Sequence, residues 1–157
     1  MKKKNSYDEW WLRKDMENMG YIFEYCHKYC KKLFGIEIDR IKFINKFMIS
    51  DCRYEMETGH PMLLSQSAID TIEDFIEQEL NNEYSAFTID GSEQLLQDYT
   101  EGSNQLYWIG WIYAYIHFEK DMLSRDIIKK LPIENMLKYY NLGHEMDRAV
   151  LLEKLPL

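Results

Sequence analysis

An all-α fold is predicted from three observations. Residues 8–33 repeat apolar side chains at alternating spacings of four and three, the seam of a helix packed in a bundle. Leu106–Phe118, "LYWIGWIYAYIHF", is apolar almost all the way round, which is the character of a central helix rather than a surface one. Only 7 Gly and 3 Pro among 157 residues leave little material for a turn-rich β-sandwich. The expectation is a compact helical bundle formed as a single domain over 1–157. N-terminal helices and an acidic segment occupy 7–104, and the core helix with a C-terminal helical hairpin occupies 105–157.

Taken in order, the first helix carries its seam on Leu12, Met16, Met19, Phe23, Cys26, Cys30 and Leu33. Trp11, Tyr25 and Tyr29 lie beside that seam and widen it, so the helix is expected to bury two sides. Gly35 follows the last periodic residue and suits a C-terminal stop. A second helix starts with Asp39 as N-cap, runs Ile41, Ile44, Met48 and Cys52 down one face, and ends at "TGHP", Thr58–Pro61. Ser65 or Ser67 caps a third helix, whose core stripe is Ile72, Phe75, Ile76 and Leu80. Residues 81–104 are polar and turn-bearing, with "YSAFTI" readable as a short strand and "EQLLQDY" as a helical turn. Gly110 inside the apolar helix costs about 1 kcal/mol against Ala, a cost best explained by a second backbone coming close. The tail divides into helices from Ser124 to Leu131, from Pro132 to about Leu142 with Pro at the first position, and from Glu145 to Leu155.

Composition narrows the function. At 46% hydrophobic and 15% aromatic residues the chain has ample material for a core. Its longest apolar run falls short of the roughly 20 residues a membrane span needs. "MKKKN" is followed by charged rather than apolar residues, so no secretory leader is expected. Three Cys without framework spacing fit reduced thiols in a cytoplasmic setting. The net charge of −8 is distributed unevenly. Residues 1–53 hold 12 basic and 8 acidic groups, 54–119 hold 13 acidic and none basic, and 120–157 hold 7 basic and 6 acidic. Such blocks argue for a directional field suited to a basic protein surface, and against a nucleic-acid backbone as partner of the middle segment.

The carboxylates of the third helix are the leading candidates for partner binding. Asp70, Asp74 and Glu77 share a face, and Glu73 stands four residues before Glu77. Like charges at that spacing cost a helix about 0.2–0.5 kcal/mol per pair. One such helix is ordinarily a solvated face; the lack of any basic residue across the whole segment is what points to docking. Trp10 and Trp11 are candidate aromatic anchors for the same partner.

Other constellations are weaker. Glu73 and Glu77 lack the Glu-x-x-His pairing of a bundle di-metal centre, and "DGSEQLLQDYTE" lacks the acidic positions of an EF-hand. Cys26 and Cys30 share a face while His27 does not, so they read as buried thiols rather than metal ligands. No metal, cofactor or catalytic residue is predicted, and His117 on the core helix reads as a packed histidine. Arg53 and His60 have the Arg-x6-His spacing of helical HEPN-type ribonucleases, a short motif that arises readily by chance. "SRDIIKKLPIENMLKYYNL" can be drawn as a helix-turn-helix, but its second helix offers only Lys138 to phosphates.

"YWIGWIYAYIHF", "SRDIIKKLPIENM" and "YNLGHEMDRAV" resemble the C-terminal signature of a family of small acidic, helical bacterial proteins. "FINKFMISDCRYEMETG" and "SQSAIDTIEDFIEQE" are similar to that family's middle region, so the resemblance covers roughly residue 41 onwards. Tyr107, Trp108, Ile109, Gly110, Tyr113, Ser124, Ile127, His144 and Asp147 carry the pattern. The chain departs from it at Ala114, where the family has Arg, and at Glu145, where it has Thr. Family members are found in toxin–antitoxin-like clusters beside ADP-ribosyltransferase-like proteins. The resemblance therefore implies an antitoxin-like inhibitor that neutralises or accompanies a toxin enzyme, and a homodimer is compatible with it. An acidic DNA mimic that inhibits a nucleic-acid enzyme is the alternative, with the HEPN-like RNase a third.

Overall fold

Helix α1, Ser6–Phe34, is the wall against which most of the molecule is built. In the computed structural model the residues described are 6–59, 61–79, 87 and 104–157. Its predicted seam lies in the core: Leu12, Met16, Met19, Phe23, Cys26 and Cys30 are buried, and Leu33 is half-buried. Trp11, Tyr25 and Tyr29 widen the contact as half-buried residues, and Ile22 is buried as well. The helix stops at Gly35, whose φ of 67° suits a residue without a β-carbon and whose N–H donates to Lys31 O at 2.9 Å.

Helix α5, Gln105–Lys120, runs antiparallel to α1. Tyr107 meets Glu24 at one end, Gly110 meets Met19 midway, and Phe118 shares a crevice with Leu12 at the other. A β-carbon at Gly110 would overlap the Met19 carbonyl, so the glycine marks the closest approach of the two backbones. The expected central helix is thus present, with Leu106, Ile109, Ile112, Tyr113, Ala114 and Ile116 fully buried.

Where one helix was expected over 39–57 there are two. Helix α2, Arg40–Met48, is capped by Asp39 as predicted, its side chain accepting from Lys42 N. The chain turns just beyond it at Ser50, whose hydroxyl donates to Phe47 O at 2.7 Å while accepting from Arg53 N at 3.1 Å. That second bond caps a new helix, α3, Asp51–Thr58. A 3-10 turn over Pro61–Ser65 leads to α4, Ala68–Glu79, where Ser67 Oγ accepts from Asp70 N. Ile72, Phe75 and Ile76 of α4 are buried; Leu80 lies outside the described residues, as do the strand and turn expected within 81–104 apart from Phe87. Phe87 is fully buried and joins Phe43, Phe47 and Phe75 in an aromatic cluster whose paired centroids are 5.2–6.3 Å apart.

The tail forms α6, Ser124–Lys130, α7, Ile133–Gly143, and α8, Arg148–Lys154. Pro132 stands just before α7 rather than at its first position. The last helix starts at Arg148 rather than Glu145, because the Asp147 carboxylate accepts from Ala149 N and Val150 N and so sets the cap there. These eight helices, with no strand among the described residues, pack round one hydrophobic core. None is long and apolar enough to cross a membrane.

Candidate functional site

The acidic helix α4 packs its apolar stripe on α1 and α3, which turns its carboxylates outward. Asp70 and Glu77 are exposed, and Glu73 and Asp74 are half-buried. Among the described residues no Lys, Arg or His side chain lies within 4.0 Å of any of these four carboxylates. Asp74 instead accepts from Gln66 Nε2 at 2.7 Å. The carbonyl of Gln66 in turn accepts from Asn18 Nδ2 of α1 at 2.9 Å, which fixes the start of α4 against the longest helix.

Two tryptophans were grouped as anchors, and their settings differ. Trp10 is 43% exposed, its ring edge-on to Trp11 at 4.5 Å, with Lys14 Nζ 5.4 Å above it. Trp11 is half-buried in a crevice with Leu12, Leu64, Met56 and Phe118, so most of its area is already spent on this chain. Trp10 thus presents ring area outward, and Trp11 presents little.

One carboxylate of the acidic segment does not contribute to an outward field at all. Glu57 is buried against Arg53, itself without solvent exposure. Arg53 holds Asp15 of α1 through two parallel bonds, Nη1 to Oδ1 at 2.7 Å and Nη2 to Oδ2 at 2.9 Å. Its Nε donates to Glu57 Oε1 at 3.0 Å and to Ser124 Oγ at 3.2 Å. Glu57 closes the ring by accepting from Ser124 N at 3.0 and 3.1 Å, capping α6, whose own N-cap Leu123 has no side-chain bond to give. The two carboxylates keep the guanidinium charged and raise its pKa, against the burial that opposes it. Sequence reasoning missed this network, although an Arg and a Glu four residues apart, with an Asp beside the α1 seam, were signals for it.

The same geometry bears on Arg53 as a ribonuclease residue. A guanidinium consumed by two buried carboxylates has no route to an RNA phosphate; His60 lies outside the described residues. His117 is held by a bond from Nδ1 to Met122 O at 2.6 Å, near Glu57 at 3.9 Å. Cys26 and Cys30 are buried free thiols, and His27 points away toward Glu37 at 3.8 Å. Ile133 and Met136 of α7 are buried, so one face of the helix drawn as a DNA reader is used in the core. Ala114 is also fully buried, a place with no room for the arginine of the family pattern.

A second unforeseen feature is a crevice of about 540 Å³ between α1, the start of α5 and the end of α7. Tyr21, Tyr25, Tyr107, Trp108, Trp111 and Tyr140 supply ring surface, and Glu24 lies at its side, only 3% exposed. Glu24 Oε2 accepts from Tyr107 N at 3.3 Å and so caps α5, whose N-cap Asn104 makes no side-chain bond. His144 stacks on Tyr140 at 4.5 Å and donates from Nδ1 to the Tyr140 carbonyl. Burial, followed by Tyr21 and Glu17 nearby, raises the Tyr107 phenol above its ordinary pKa. The signal in the sequence was the i, i+4 repeat of aromatics, Tyr21 with Tyr25 and Tyr107 with Trp111.

No protein-family model, curated protein or solved structure matches the chain.

Proposed function

We propose that this protein is a binding module rather than an enzyme, and that α4 docks onto a cationic surface of a partner protein. The observation that carries the reading is the row Asp70, Glu73, Asp74 and Glu77, without a basic side chain in ion-pair range among the described residues. Natural surfaces usually intersperse both signs, since like charges repel along a helix. A face that forgoes that relief gains it on meeting a basic partner, chiefly as faster association and partner selection. Trp10 adds an exposed ring of the type that anchors interfaces. The family resemblance of residues 41 onwards supports an antitoxin-like inhibitor, with an ADP-ribosyltransferase-like toxin as the partner it neutralises or accompanies.

Reversing Glu73, Asp74 and Glu77 to Lys tests the reading. The partner is the product of the adjacent gene, co-purified and then measured by stopped-flow association at low and high salt. Wild-type association is expected to slow by about tenfold or more with added salt, as steered encounters do, and the triple variant to lose both speed and salt dependence. Unchanged rates in a variant of unchanged circular dichroism make the carboxylates ordinary surface. Competition by duplex DNA would reassign the same face to a DNA mimic.

A further inference from the structure

No further inference is drawn: the strongest candidate, the crevice between α1, α3 and the end of α5 lined by Trp11, Leu12, Met56, Leu64 and Phe118, has its carboxylates Asp15 and Glu57 already committed to Arg53, and nothing in the structure shows what covers its apolar wall.

Discussion

Replacing Arg53 by Met should be among the most damaging single changes available to this protein. The side chain has no solvent exposure and satisfies Asp15 through two bonds and Glu57 through one. Met matches the volume roughly and leaves no large cavity, so the loss is electrostatic. Asp15 and Glu57, with side-chain exposures of 6% and 1%, then lose their guanidinium. Stripping a buried pair of one partner costs about 3–5 kcal/mol. For a chain of this length that corresponds to a fall in Tm of about 6–20 °C. It is a large share of the roughly 5–15 kcal/mol that holds most domains together. Urea unfolding followed by tryptophan fluorescence measures it, with an unchanged m-value showing that the same surface is exposed. The triple change Arg53→Met, Asp15→Asn, Glu57→Gln removes the stranded charges and should be more stable than Arg53→Met alone. A cost below about 1 kcal/mol for the single change refutes the reasoning. A triple variant no better than the single one refutes it equally, since the loss would then not arise from unpaired charge.

Two further outcomes follow from the core. Gly110→Ala gains about 1 kcal/mol of helix propensity but drives a β-carbon into the Met19 carbonyl, so a net loss of about 1–3 kcal/mol is expected in thermal unfolding. Cys30 is pushed up to about 12 by burial, so the fold favours the neutral thiol. Its contribution is fully present below the unfolded value near 9 and is lost as pH rises from there toward 12. Correspondingly, alkylation of Cys30 at pH 8, followed by mass spectrometry, should proceed only as fast as the core opens.

Periodicity made the long elements legible because their burial is one-sided or complete. The α1 seam and the 106–118 helix are both of this kind, and Gly110 disclosed the close backbone before any partner was known. The break at Ser50 was missed for the opposite reason. Apolar residues continue at helical spacing through Met48 and Cys52, and a serine cap inside such a run reads as one polar residue on a face. Polar partners drawn from distant segments leave no periodic trace either. Arg53 meets Asp15 and Ser124 across separations of 38 and 71 residues, and Glu24 meets Tyr107 across 83. Counting charge along the chain therefore overstated the outward field by including Glu57, while the apolar stripe of α4, periodic within one helix, showed which of its sides faces the core.

That division also explains why the proposed surface and the scaffold can be perturbed separately. Two helices, α5 and α6, lack side-chain bonds from their own N-caps and receive them from Glu24 and Glu57, carboxylates of other helices. Acidic residues of this chain thus do two physically different jobs. Those facing inward tie helix ends together, and their loss strands buried N–H groups. Those on α4 touch no described cation, and α4 is retained by Ile72, Phe75 and Ile76 on the opposite side. Charge reversal at Glu73, Asp74 and Glu77 should accordingly cost no more than about 1.5 kcal/mol, most of it the bond that Asp74 accepts from Gln66. A much larger loss would mean that these carboxylates belong to the scaffold after all, and the binding experiment on the same variant would then carry no information about α4 as a docking face.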